Sequence, residues 1–214
     1  VIARFVAAGD VVTAVQAENA GEVIGINTRE ELARAEHIAR TRTRQRLLEA
    51  GVTLVDPTTT YVDDQVQVGQ DTVIHPGSFL VGYTEVGEDC EIGPYAHLRD
   101  ARIGRGVRIL TGTIVERSVI EDGATVGPYS RVRDHSSVGS GAHIGNFVEL
   151  VRARIGPGVR ALHYAYLGDA EVGADANIGA GAITCNFDGR DKHSTHIEEG
   201  AFVGSDALLV APVR

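Results

Sequence analysis

Residues 62–98 read VDDQVQVGQDTVIHPGSFLVGYTEVGEDCEIGPYAHL, and an aliphatic residue recurs at every sixth position: Val62, Val68, Ile74, Leu80, Val86, Ile92 and Leu98. The next position is often small or acidic (Asp63, Gly69, Gly87, Gly93). Four residues after each aliphatic stands another small or branched one: Val66, Thr72, Ser78, Thr84, Cys90 and Ala96. The register resumes at Ile103 and continues through Ile120, Ile144, Ile155, Leu167 and Ile178 to Ile197, Val203 and Leu209. Four steps are five residues long instead of six, and one insertion covers about residues 184–196. A period of six sustained this far is the signature of a parallel β-helix, in which no coil buries its own apolar face and the stacked neighbours supply the core. Three hexads make one triangular coil, so the wall advances about 4.8 Å per coil. The aliphatics are expected to point inward at the corners, with the small residues filling the tight interior.

Outside the repeat the sequence says less. Val11–Val15 and Val23–Ile26 look like short strands, too few for a domain core. Thr28-x-x-Glu31 is a capping-box pattern after Asn27, and Gly51 suits the end of a helix about 22 residues long. Arg40, Arg42, Arg44 and Arg46 make that helix basic; a solvated helix with its basic end favouring the C-terminal dipole explains them, because no aromatics are interleaved for nucleic acid. The organisation expected is residues 1–27 as an opening segment, 28–51 as a helix and 52–214 as the β-helix. With no Met in the chain, Val1 is expected to be an internal residue of a longer protein.

Composition narrows the function classes. There are 26 glycines and only 5% aromatics, so stability must come from many small stacked residues. A net charge of −9 argues against nucleic acid as a partner. No apolar run approaches the ~20 residues of a membrane span, and no charged-then-apolar leader begins the chain, so a cytoplasmic protein without membrane insertion is expected. Cys90 and Cys185 make no disulfide framework and read as reduced thiols.

Coil arithmetic predicts neighbours. Arg133 should stack beneath Val151, and His163 lies one 17-residue coil above Asn146. Arg131, Arg133, Arg152, Arg154 and Arg160 fall within a few coils, and Arg190 and Lys192, the single lysine, come from the insertion. In an acidic chain this reads as a local basic region suited to phosphate. The segment HYAYLGDAEVGADANIGAGAITCNFDGRDKH, 163–193, concentrates His, Asn, Tyr and Lys where the repeat is about to break. A loop leaving a rigid solenoid is a common place for binding residues. Asp188-Gly189 is a turn signal, His193 and His196 read as loop residues, and His75, His97, His135 and His143 as coil-surface residues.

The repeat and that segment closely resemble the acetyltransferase half of the bacterial bifunctional N-acetylglucosamine-1-phosphate uridylyltransferase / glucosamine-1-phosphate acetyltransferases. The runs that carry the likeness are GVTLVDPTTTYVD, EIGPYAHLR, HIGNFVEL, YLGDAEVGADANIGAGAITCNFDG and AFVGSDALLVAPV. The resemblance implies an all-β, left-handed parallel β-helix, against the usual right-handed crossover preference. It also implies a connecting α-helix after VIGINTREEL, residues 23–32, and an opening that is the remnant of an α/β nucleotidyltransferase domain, resembling the last strands of the family's uridylyltransferase domain. It further implies a homotrimer with sites between subunits, acetyl-CoA as co-substrate and an amino sugar phosphate as acceptor.

By the same resemblance His163 is the general base, taking the amine proton during attack on a thioester, with backbone N–H groups near the oxyanion. Arg133, Tyr166, Asn177 and Lys192 correspond to sugar-phosphate contacts. Ala180, Asn186, Phe187 and Ser205 correspond to acetyl-CoA contacts. Asn27 corresponds to a metal-site residue of the uridylyltransferase domain. Its aspartate partner and the glycine-rich nucleotide loop are not in this sequence, so Mg2+ and uridylyl transfer are expected only of a longer parent. Two departures stand out: Val151 where the family pattern has Lys, which should weaken phosphate binding, and Phe187 where it has Tyr. The sequence ends at Arg214, before further coils that supply acetyl-CoA contacts in the family. The expected activity is acetylation of glucosamine 1-phosphate in UDP-N-acetylglucosamine synthesis. Alternatives are a hexapeptide acyltransferase with another amine acceptor, and a non-catalytic trimeric scaffold.

Overall fold

The aliphatic ladder read from the sequence lies in the interior of three parallel sheets. A computed structural model describes residues 1–18 and 20–214. Twenty-six short strands, from Thr53–Leu54 to Leu208–Val210, are dealt in turn to three sheets of nine, nine and eight strands, so that each strand pairs with those three before and after it. The first face begins at Thr53–Leu54, the second at Tyr61–Val62 and the third at Gln67–Val68. All these pairings are parallel, and Leu80↔Leu98 and Ile92↔Ile109 place aliphatic on aliphatic one coil apart.

Ile74, Leu80, Ile92, Leu98, Ile109, Ile120, Ile144, Leu150 and Leu167 are fully buried. Burying a Leu or Ile side chain stabilises by about 1.5–3 kcal/mol, and repetition over the coils replaces the large aromatic anchors the sequence lacks. The second column, Val66, Thr72, Ser78, Thr84, Cys90 and Ala96, is buried as well. A buried hydroxyl needs a partner; Thr72 Oγ1 donates to the Gly87 carbonyl at 2.8 Å and Thr84 Oγ1 to that of Val81 at 2.7 Å. Burial pushes the Cys90 thiol pKa up, in keeping with a packing role.

One detail differs from the expectation. The first-position aliphatics sit within the strands of the flat faces, not at the corners, because the strand pleat directs alternate side chains inward. The corners are turns whose residues take left-handed backbone angles; Asp100, Arg117, Asp134, Arg152 and Asp169 have φ of 48, 46, 57, 50 and 49°.

The chain divides into two compact units, Val1–Thr41 and Arg42–Arg214. In the first, Ile2–Ala7 is a short helix with no buried residue. The capping box forms: the N–H groups of Asn27 and Thr28 donate to Glu31 Oε2 at 2.7 and 2.8 Å, and the Glu31 N–H donates to Thr28 Oγ1 at 3.1 Å. The helix it starts runs over Arg29–Glu49. Val11–Val15 and Val23–Ile26 are not strands. Val11 and Val15 are more than nine-tenths exposed, and β-branched residues without a partner strand have no ladder to join. In the second unit Leu47 is buried, while Arg44 donates to the Pro57 carbonyl at 2.5 Å and Arg46 to that of Asp64 at 2.9 Å. These two arginines therefore tie the helix end to the first coil. Among the described residues no helix is long and apolar enough to cross a membrane.

Candidate functional site

His163 ends the strand Arg160–His163 on the first face, and Asn146 ends the strand His143–Asn146 one coil below. The two are register partners, and His163 Nδ1 stands 3.1 Å from Asn146 Oδ1. An amide oxygen only accepts, so a hydrogen bond here uses the Nδ1 proton, and the neutral ring in that tautomer has its lone pair on Nε2. Gly145 permits this approach: a Cβ there would meet the Leu162 carbonyl oxygen at 1.8 Å. Two residues beyond the pairs Ala161↔Ile178 and Ile178↔Val203 stand His163, Ala180 and Ser205. Asn146, His163, Ala180 and Ser205 thus occupy one corner on successive coils. Asn177 pairs with Arg160, three residues before His163 on the same face.

Around that corner, the second face carries Arg133 and Tyr166. Arg133 is the register partner of Val151, which partners Gly168. Tyr166 sits between Glu149 and Ile183 and lines a recess of about 200 Å³ with Phe147, Glu149, Tyr164 and Ile183. Gly168 has no side chain, and other residues use its space: a Cβ there would meet Tyr166 Oη at 2.5 Å and Asn186 Nδ2 at 2.6 Å. Tyr166 and Asn186 thus flank the same bare Cα. Val151 lies 1% exposed in this column, so the position where the family pattern has Lys is closed over by its neighbours.

The corner between the second and third faces continues to Asn186. Asp100, Arg117, Asp134, Arg152, Asp169 and Asn186 follow one another coil by coil, as the register of the adjoining strands requires. Arg117 Nη2 donates to Asp134 at 2.7 Å. Arg152 grips Asp169 through Nε at 2.6 Å and Nη2 at 2.8 Å, and Asn186 Nδ2 donates to Asp169 Oδ2 at 2.5 Å. The Arg152 guanidinium, then the Asn186 amide, hold the Asp169 carboxyl below its ordinary pKa, and Arg117 followed by Arg133 does the same for Asp134.

These carboxylates correct the expectation of a basic region at four of its arginines. Arg131 pairs with Glu116, Arg133 with Glu149 and Asp134, Arg152 with Asp169, and Arg154 with Glu171. These four arginines form an ion-pair lattice, because residues one coil apart are brought together across the strands and carboxylates occupy the neighbouring rungs. Arg133 remains a planar donor held by Glu149 at 2.8 Å and Asp134 at 2.6 Å.

The insertion folds back on itself. Phe187 and Lys192 form an antiparallel bridge, and the His193 N–H donates to the Asn186 carbonyl at 2.8 Å. Asp188 caps the turn, accepting from the N–H groups of Arg190 and Asp191 at 2.8 and 2.7 Å and facing His193 Nε2 at 2.8 Å. Those amides, with His193, lower its pKa to about 2. Phe187, Arg190 and Lys192 are exposed on this hairpin. His196 is not a loop residue; it lies in the strand Thr195–Ile197, 3.1 Å from Glu171.

The candidate residues therefore border the second face on several successive coils: His163, Ala180 and Ser205 on the side the chain enters, Arg133 and Tyr166 on the face, Asn186 on the side it leaves. A recess of about 550 Å³ on the third face between Arg154, Glu171, His196 and Arg214 includes none of them. Asn27 is exposed, with its backbone N–H on Glu31. Among the described residues no three His, Cys, Asp or Glu side chains converge as a metal site. The sequence reading missed Glu149, Asp134 and Asp169; a count of one coil from Arg152 to Asp169, and from Asp169 to Asn186, would have found the last.

A family model described as the GMPPB C-terminal domain matches residues 58–160. The bifunctional protein GlmU of Thermotoga petrophila is 49% identical over 203 residues, which are 95% of this chain and 45% of that protein. The protein of the same description from Shouchella clausii is 42% identical over 206 residues, 96% of this chain and 45% of its own length. A solved hexapeptide transferase family protein from Anaplasma phagocytophilum is 17% identical, with a TM-score of 0.33, covering 73% of this chain and 76% of that one; no role is carried over from it. Over nearly all its length the chain is similar to the bifunctional GlmU proteins, and it spans about 45% of the length of these relatives.

Proposed function

We propose that the chain transfers the acetyl group of acetyl-CoA to the amine of glucosamine 1-phosphate, giving N-acetylglucosamine 1-phosphate for UDP-N-acetylglucosamine synthesis. The observation that carries this reading is the His163–Asn146 pair, 3.1 Å apart, at a corner whose next rungs are Ala180 and Ser205. Nδ1 is committed to Asn146, so Nε2 is the basic atom. The neutral amine attacks the thioester carbonyl carbon; the C–N bond forms and the C–S bond breaks. His163 Nε2 takes the proton from nitrogen and returns one to the departing sulfur, so the base is restored. Arg133, Tyr166, Asn177 and Lys192 hold the sugar phosphate. Ala180, Asn186, Phe187 and Ser205 hold acetyl-CoA, and the small side chain of Ala180 leaves room for a thioester above His163.

The candidate residues lie on an open surface in one chain, and Tyr95, Tyr129, Phe147 and Tyr164 are exposed beside them. Large exposed apolar side chains in a row favour a partner surface, so the reading includes a homotrimer whose subunits close the sites. Mass spectrometry of glucosamine 1-phosphate incubated with acetyl-CoA and the protein tests the reaction: an acetylated product, lost in His163→Ala, is expected, and unmodified sugar refutes it.

A different amine acceptor is the second reading. Val151 is buried and Arg133 is already bridged to two carboxylates, an arrangement that supplies less free positive charge for phosphate. A panel of amino sugars with and without phosphate separates the two, since only the first reading requires the phosphorylated sugar to react fastest.

A further inference from the structure

Asn186 is 6% exposed, and its side chain faces a carboxylate that can only accept hydrogen bonds. Asp169 Oδ2 receives Nδ2 at 2.5 Å. Asp169 cannot rotate away, because Arg152 grips its two oxygens at 2.6 and 2.8 Å. The Asn186 backbone is fixed on both sides: its N–H donates to the Thr184 carbonyl at 2.9 Å and its carbonyl accepts from His193. What remains is Oδ1, for which no donor is recorded among the described residues. Oδ1 is not one of the buried side-chain atoms left without a partner, so an amide whose nitrogen is committed inward to Asp169 shows its oxygen outward, where a donor from outside the chain can reach it.

We infer that Asp169 is a positioning residue: it holds the Asn186 amide with nitrogen inward, so that Oδ1 is presented as an acceptor to an amide N–H of the pantetheine arm of the acyl donor. The inference deepens, and rests on, the acetyl-CoA reading of Asn186. A free amide turns over at little cost and offers its NH2 as readily as its oxygen; a charged acceptor behind it decides which is shown. The corner ladder thereby sets the polarity of a ligand contact one coil higher.

The test compares acetyl-CoA binding, by titration calorimetry, across the unmodified protein, Asp169→Leu, Asp169→Asn and Asn186→Leu, with glucosamine 1-phosphate binding and thermal unfolding measured in parallel. Asp169→Leu is expected to weaken acetyl-CoA binding about tenfold, the scale of one mismatched hydrogen bond, and to leave sugar-phosphate binding within about twofold. Asp169→Asn, whose amide oxygen still accepts from Nδ2, is expected to stay within about threefold of the unmodified protein. A merely structural role through the Arg152 ion pair makes both substitutions equally harmful, because both remove the charge. That result, or unchanged binding in Asp169→Leu, overturns the inference alone. If Asp169→Leu fails to fold, Asp169→Ala takes its place with the same two outcomes, and Asn186→Leu, which keeps the Asp169–Arg152 pair and removes Oδ1, tests the reading beneath: unchanged binding there overturns the inference with it. An unmodified protein that binds no acetyl-CoA overturns both the inference and the reading beneath it.

Discussion

His163 Nδ1 lies 3.1 Å from Asn146 Oδ1, one coil below, so a side chain of one coil sets the tautomer of the next. Asn146→Ala removes that acceptor and frees the ring to turn. The expected result is a loss in kcat of about tenfold, as misplacement of a reacting group gives, with KM for both substrates little changed. His163→Ala should cost more, about 10²–10⁴-fold, the range for a general base. Steady-state kinetics on the two variants checks the order.

Gly168→Ala and Gly145→Ala should separate function from stability. At Gly168 the atoms nearest the new methyl are side-chain atoms of Tyr166 and Asn186 and not backbone, so the strands stay paired while those two side chains are displaced. Melting temperature should shift little while activity falls by about tenfold or more, because two binding groups are displaced together.

At Gly145 the methyl meets backbone, with the Leu162 carbonyl oxygen at 1.8 Å. Two strands of the first face must part, and a loss of about 3 kcal/mol in unfolding free energy is expected, the upper range for point changes. Urea titration of the folded protein measures it.

Asp188 makes a pH prediction. Its folded pKa is lowered to about 2, first by the Asp191 backbone N–H and then by His193, against about 3.9 for an unperturbed carboxyl. A depressed carboxyl pKa means the stabilising contribution is fully present above the unfolded value and is lost as pH falls through the folded value. The turn of the insertion should therefore hold from neutral pH to about pH 4 and weaken progressively toward pH 2. Amide exchange at Arg190 and Asp191, followed across that range, should accelerate relative to core amides only at the acid end, and not at all in Asp188→Asn, where it is already fast.

The coils were legible because a period of six states both which residues point inward and which are neighbours. Leu98 over Leu80, Arg133 beneath Val151 and His163 above Asn146 all follow from counting 17 or 18 residues. Three features were not. Val11–Val15 has strand composition without a partner, and composition alone does not supply one. The arginines looked like free positive charge because they were counted by type; the same coil count applied to Glu149, Asp134 and Asp169 brings each within reach of an arginine, and the sum of charges on a rung depends on both. Lys192 lies where the period breaks, so counting ends at Asn186 and the hairpin's turn is set by Asp188 instead.

Release of free thiol from acetyl-CoA, with and without glucosamine 1-phosphate and beside His163→Ala, addresses the proposed reaction most directly. Release that requires the sugar phosphate and vanishes with His163 is the predicted result. No release by a folded protein, or release indifferent to the acceptor and to His163, would contradict it.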